Sequence, residues 1–272
     1  MNAARKSGLI LFLAMICLLA GCSEVGITGR RQLNLVPDSL INSMSLEQYS
    51  QFIAENKLSA DAAKTAMVKR VGARIQAAVD EFCHQYCEED PFAGYQWEFN
   101  LVENDAVNAF AMPGGKVVVY TGLLPIAQDE AGLAVVMGHE IAHVFAKHGS
   151  ERMSQGLLAQ LGQVALSQAL KEKPEQTRNL FVTSYGLGTQ IAFMLPFSRL
   201  HEKEADRLGL IFMALAGYKP EAAVSFWQRM AAGRDGKGQP LEILSTHPAP
   251  DTRIENIRSL IPEAMEYYKP PR

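Results

Sequence analysis

Val136-Met137-Gly138-His139-Glu140-Ile141-Ala142-His143-Val144 sets His-Glu-x-x-His inside an apolar, alanine-rich run. Leu133, Val136, Met137, Ile141 and Val144 recur at three- and four-residue intervals, which predicts a helix with a buried stripe. Asp129 is placed to cap its N-terminus, and Gly149 to stop it. On that helix His139 and His143 lie one turn apart and face the same way. Two imidazoles at this spacing hold one zinc ion at roughly 2.0–2.1 Å each. Glu140 sits beside them and reaches a water on the metal without ligating it, as a metal-assisted hydrolase requires. A satisfied network of polar core residues is the competing explanation. Burying three such groups without partners costs several kcal/mol, and a metal removes that cost more simply.

A third ligand is expected downstream. Glu202-Lys203-Glu204-Ala205-Asp206 opens a helix whose apolar face runs through Leu208, Ile211, Phe212 and Leu215 to Gly217. Glu202 and Asp206 share a face. Glu202 completes a His-His-Glu zinc site with the fourth position left to water. Asp206 is placed to accept a hydrogen bond from the free ring nitrogen of one zinc histidine. A solvated acidic helix start is the alternative, and Glu204 fits it. His201 is turned about 100° from Glu202 and is left out of the ligand set.

Between Trp97 and Tyr120 lies the strongest β signal. Trp97–Val102 alternates, Val107–Met112 follows, and Pro113-Gly114-Gly115 connects to Lys116–Tyr120 as a hairpin. A sheet of about three strands is therefore expected just before the zinc helix. Asn108, Ala109, Phe110 and Ala111 are the candidate exposed edge, able to pair with an extended peptide. The other reading is a sheet that merely covers the core. Helices are expected over Asp38–Asn56, Ala60–Phe82 and Ser150–Lys171. Residues 179–198 carry no Asp, Glu, Lys or Arg. Thr183, Ser184, Gly186, Gly188, Thr189, Gln190 and Pro196 interrupt that run and argue against a membrane span. A buried segment packed near the active site, in contact with lipid or an apolar substrate, is expected instead.

The N-terminus reads as an address. Arg5 and Lys6 precede an apolar run from Gly8 to Ala20, and Leu19-Ala20-Gly21-Cys22 resembles a lipoprotein signal. Residues 1–21 are then the signal, Cys22 the lipidated residue, 22–37 a tether and 38–272 a single domain. Ser23 after the cysteine favours sorting to the outer membrane, on its periplasmic face. Loss of Arg5 and Lys6 takes the formal charge of −3 to −5. Neither value favours a nucleic-acid partner. The ordinary composition, 48% hydrophobic and 20% charged, argues for a folded chain. In that oxidising compartment Cys83 and Cys87 are candidates for a local disulfide.

His139-Glu140-x-x-His143, Ser198-Arg199-x-x-Glu202-x-x-Ala205-Asp206 and Ser245-Thr246-His247-Pro248 together resemble the HtpX and CAAX-prenyl-protease type of zinc metallopeptidase. With the lipoprotein signal, the likeness is strongest to small outer-membrane lipoprotein peptidases of that type. The resemblance implies an α+β, mostly helical zincin-like fold with a small sheet beside the His-Glu-x-x-His helix. It implies a gluzincin site holding one zinc ion on His139, His143 and Glu202, with Glu140 as general base. It also implies that His247 lies near the metal, as a transition-state donor or a removable fourth ligand, with Arg253 in support. The expected substrates are unfolded or misassembled envelope proteins, with a link to the outer-membrane assembly machinery. The rivals are a zinc-bearing chaperone that does not cut, and a hydrolase of peptidoglycan peptides.

Overall fold

The computed structural model describes residues 22–87, 90–190, 194–236, 242–243, 247 and 252–270. Backbone contacts group the chain into two compact units. One holds the described residues up to Ile41 together with Lys147–Leu200. The other is Asn42–Ala146 with His201–Arg272.

The second unit carries the sheet. β3 (Glu98–Val102), β4 (Ala109–Met112) and β5 (Lys116–Tyr120) lie in the order β3-β5-β4, with β3 parallel and β4 antiparallel to β5. The expected hairpin is present. Met112 pairs with Lys116 across Pro113-Gly114-Gly115, and Gly114 and Gly115 take φ of 89° and 85°, a region that favours glycine. β5 is buried along its whole length, as a central strand of Val-Val-Val should be. β4 is one of the two edge strands, and it begins at Ala109 rather than Val107. On one sheet face Val102, Val118 and Tyr120 cluster with Tyr49 and Phe52 of α1 (Asp38–Glu55). Against β3 packs α2 (Ala62–Tyr86), capped by the Asp61 carboxylate and burying Val68, Val71, Ile75, Val79 and Phe82. After β5 a short α3 (Leu124–Ala127) leads into α4 (Glu130–Phe145), the His-Glu-x-x-His helix.

Helix α4 is built as the sequence suggests at its start and differently at its end. The Asp129 side chain accepts from the Gly132 amide at 2.8 Å. Every residue from Gly132 to Phe145 is buried. The stop is Lys147, with a left-handed φ of 51°, and not Gly149, which lies inside the next helix with open space around it. A non-glycine residue takes the left-handed turn here, and its Nζ is held by Asp38 at 2.6 Å.

The first unit contains α5 (His148–Ala169) and α6 (Glu175–Thr189), which pack along one another. It also holds a strand pair within the segment expected to be a tether. β1 (Cys22–Glu24) runs antiparallel to β2 (Arg31–Leu33). The bidentate Arg30–Glu151 pair, at 3.0 and 2.8 Å, fastens this pair to α5, and the Leu35 amide donates to Ser154 Oγ at 2.9 Å. The expectation that 179–198 is buried fails over its described part. α6 has no buried residue, and Leu180, Phe181 and Leu187 are 66%, 52% and 60% exposed. Among the described residues no helix is long and apolar enough to cross a membrane.

The disulfide expected of Cys83 and Cys87 is not formed, and both are free thiols. Cys83 sits in the last turn of α2 and Cys87 caps it, a helical i, i+4 relation near the upper reach of a bridge. Burial, and then the neighbouring Cys87, push the Cys83 thiol well above its usual range.

The chain continues through α7 (Leu195–Leu215), α8 (Ala222–Gly236) and α9 (Arg253–Glu266). Glu202 therefore lies inside α7, not at its start. Gly217, with φ 81°, ends that helix as expected, and the Tyr218 amide returns to the Met213 carbonyl.

Candidate metal centre

The two histidines reach a carboxylate because α4 and α7 touch backbone to backbone. A Cβ on Gly138 would lie 2.8 Å from the Gly209 carbonyl oxygen. One on Gly209 would lie 2.8 Å from the His139 nitrogen. Two glycines at the crossing let the helices approach this closely, and Glu202 and Asp206 then lie across from His139. Neither glycine is apparent as a functional residue from sequence. An isolated glycine in a helical pattern is the only signal each offers.

Four side chains converge. His139, His143, Glu202 and His247 each bring one ligand atom, and all four atoms lie within 4.8 Å of one another. The Nε2 atoms of His139 and His143 are 3.1 Å apart. Glu202 Oε2 is 3.2 Å from His139 Nε2, and its Oε1 is 3.4 Å from His143 Nε2. His247 Nδ1 lies 2.9 Å from Glu202 Oε1 and 3.4 Å from His139 Nε2. All four residues are buried.

The donors fit a divalent cation on two counts. Nitrogen and carboxylate atoms from separate helices point at one small volume, which is the donor chemistry of zinc. Glu202 Oε2 and Glu140 Oε1 are also buried acceptors without a hydrogen-bond donor. Such atoms are costly unless a cation or a water meets them.

Around the donors a support network is in place. Asp206 Oδ1 lies 3.0 Å from His139 Nδ1 and accepts from Arg253 Nη2 at 2.6 Å. A proton on His139 Nδ1 leaves the Nε2 lone pair aimed at the centre. The Arg253 guanidinium lies 3.6 Å above the Trp227 ring. Sequence reasoning missed Trp227, since an aromatic residue in a helix reads as core.

Electrostatics follow from this layout. Burial opposes charge on His139, yet Asp206 and Glu202 outweigh it and raise its pKa from 6.5 to about 9. Burial would raise Glu202, but His139, His143 and His247 hold it far below the carboxylate range. Asp206 is likewise lowered against its burial, chiefly by the Arg253 charge.

His139, Glu140, His143, Glu202, Asp206, His247 and Arg253 are thus brought together as the sequence suggested. The His247 amide donates to the Ile243 carbonyl at 2.8 Å. Glu242 and Ile243 are in turn held at the residues just before the edge strand. The Ile243 amide donates to Val107 O at 3.1 Å, and Asn108 Nδ2 donates to Glu242 Oε1 at 3.0 Å. Asn108 is therefore 7% exposed and lies outside β4; Ala109, expected on the exposed edge, is buried at 1%, and Phe110 and Ala111 are half-buried.

Comparison with known proteins gives the same account. The model of Peptidase family M48 matches residues 55–261. Over 244 residues the chain is 34% identical to the mitochondrial metalloendopeptidase OMA1 of Schizosaccharomyces pombe, covering 89% of this chain and 67% of that protein. It is 32% identical over 247 residues to human mitochondrial metalloendopeptidase OMA1, covering 88% and 46%. To the beta-barrel assembly-enhancing protease of Escherichia coli it is 32% identical over 170 residues, covering 60% and 34%. The chain spans between about two thirds and one third of these relatives' own lengths. The match over 55–261 encloses every residue of the centre, and the chain belongs to Peptidase family M48, whose members are zinc-dependent metallopeptidases.

Proposed function

We propose that this chain is a zinc endopeptidase of the bacterial periplasm, anchored through lipid on Cys22 to the outer membrane, that cleaves unfolded or misassembled envelope proteins. Its site resembles that of the HtpX type. The observation that carries the reading is the convergence of His139, His143 and Glu202 with the unpaired Glu140 Oε1 beside them. His139, His143 and Glu202 would hold zinc, which when bound would supply Lewis acidity. Glu140 is the acceptor for the proton of the attacking water and returns it to the leaving amine. Asp206 and Arg253 fix the ring of His139. His247 Nε2, 3.5 Å from Glu140 Oε1, is near enough to donate to an oxyanion once its ring turns from Glu202.

The lipoprotein-like Leu19-Ala20-Gly21-Cys22 supports the address. The likeness to the beta-barrel assembly-enhancing protease of Escherichia coli supports a link to β-barrel assembly. An extended segment pairing along β4, at Ala109, Phe110 and Ala111, suits a non-native chain, because a folded one does not offer a free strand. Asn108 would then bound the groove rather than line it, being held by Glu242.

One observation favours a second reading. With His247 the centre offers four protein donors, the pattern of a closed site with no position for water. A zinc-bearing chaperone of outer-membrane proteins, with little proteolysis, would retain that arrangement.

Metal analysis of the purified protein beside cleavage of casein, with and without chelator, separates the readings. The peptidase reading expects one zinc per chain and chelator-sensitive cleavage that Glu140→Gln lowers by roughly 10²–10⁴-fold. Complementation in cells by Glu140→Gln would favour the chaperone.

A further inference from the structure

In the first unit α5 and α6 present apolar side chains that no described element covers. On α5, Met153, Leu157, Leu161 and Val164 are 40%, 41%, 56% and 61% exposed. At 100° per residue they fall within an arc of about 80° on one helix face. On α6, Leu180 and Leu187 lie two turns apart and are exposed together with Phe181. Charge is absent from the same stretches. Residues 153–170 and 179–198 contain no Asp, Glu, Lys or Arg, whereas Lys171, Glu172, Lys173, Glu175 and Arg178 crowd the connection between them. A water-facing helix surface is normally laced with charge. Single exposed apolar residues need no explanation, but an aligned stripe on each of two packed helices does.

Where the N-terminal segment joins the fold identifies the occupant. Residues 1–21, with their apolar run from Gly8 to Ala20, end at Cys22, which opens β1. The β1–β2 pair is fastened to the first turns of α5 by Arg30–Glu151 and by Leu35 to Ser154. Met153 and Leu157, the start of the α5 stripe, lie beside those fastenings in the helix. Lipid attached at Cys22 would therefore bring the bilayer surface to the unit that bears the uncharged faces.

We propose that α5 and α6 lie on a lipid bilayer, with Leu157, Leu161, Leu180 and Leu187 sunk into the headgroup boundary, as a second attachment beside Cys22. This rests on the lipid-anchor reading above. The helix surface binds the bilayer by itself, and lipid at Cys22 adds to that binding.

The test is flotation of residues 22–272 bearing Cys22→Ser, which has neither the apolar run of residues 8–20 nor an acyl group, with vesicles of phosphatidylethanolamine and phosphatidylglycerol. A second chain adds Leu157→Gln, Leu161→Gln, Leu180→Gln and Leu187→Gln. The four positions are at least 41% exposed, so helicity and casein cleavage serve as controls for folding. Should the fourfold chain lose helicity, Leu180→Gln with Leu187→Gln replaces it. The proposal expects the Cys22→Ser chain to float and the glutamines to lower its partition by roughly tenfold or more. Equal partition of the two chains overturns it, since they differ only at the four leucines. Failure of the Cys22→Ser chain to float also overturns it. So does a vesicle-free dimer that the glutamines dissolve, which would make a second copy the occupant. Mass spectrometry of Cys22 from cells reads the anchor separately, so the anchor can fail while the surface stands.

Discussion

Every residue of α4 from Gly132 to Phe145 is buried, while α6 buries none, although each helix carries only two charged residues, Glu130 and Glu140 in one and Glu175 and Arg178 in the other. The difference lies in their neighbours. α4 is enclosed by α2, β4 and α8 and is met by α7 at a glycine-on-glycine crossing. α6 packs along α5. Scarcity of charge alone thus fails to say whether a helix is core. In α4 the polar residues that interrupt the apolar face, His139, Glu140 and His143, have a purpose inside. In α6 the interruptions are Thr, Ser and Gly, which specify nothing.

Four outcomes would break or sharpen this contrast. Glu140→Gln, a change of one atom in the buried helix, should cut peptidase turnover by roughly 10²–10⁴-fold while the zinc content stays unchanged. Next comes packing. Gly209→Val should destabilise the protein by about 1–3 kcal/mol and weaken zinc retention, because its Cβ meets the His139 backbone at 2.8 Å. Thermal melts and metal content check this. Gly186→Ala on α6, where nothing lies within 4 Å, should instead stabilise by about 0.5–1 kcal/mol. If the two glycines respond alike, neighbours are not what distinguishes the helices.

The third outcome concerns pH. Burial and then Glu98 raise Tyr49 from 10.0 to about 12, and Tyr218 rises to the same value, chiefly by burial. A phenol whose folded pKa is raised stabilises the fold below its unfolded pKa and loses that as pH climbs through the folded one. Denaturant midpoints should therefore fall between pH 10 and about 12, and Tyr49→Phe should flatten part of the fall. The smallest effect is expected for Leu180→Gln, within about 0.5 kcal/mol in a denaturant titration, since the side chain is 66% exposed.

What was legible in the sequence was mostly local. Asp129 as a cap, the Pro113-Gly114-Gly115 hairpin and the shared face of His139 and His143 each follow from residues within a few positions. Glu202 was legible at a distance because it shares a helix face with Asp206. What was hidden depended on contacts between remote segments. Trp227 beneath Arg253, the Gly138–Gly209 crossing and the Arg30–Glu151 fastening leave no periodic mark on their own stretches. The stop of α4 was misplaced at Gly149 because Lys147 takes a left-handed conformation that glycine usually supplies. The exposure of Leu180 and Leu187 was missed because an uncharged run looks the same whether protein or another phase covers it.

The central claim is that His139, His143 and Glu202 meet on one cation. Anomalous diffraction from crystals of the zinc-loaded protein, at the zinc absorption edge, tests it most directly. The account expects one peak roughly 2.0–2.2 Å from both histidine Nε2 atoms and from a Glu202 oxygen. A fully occupied peak bound by other residues, or one that persists unchanged in Glu202→Ala, would contradict it.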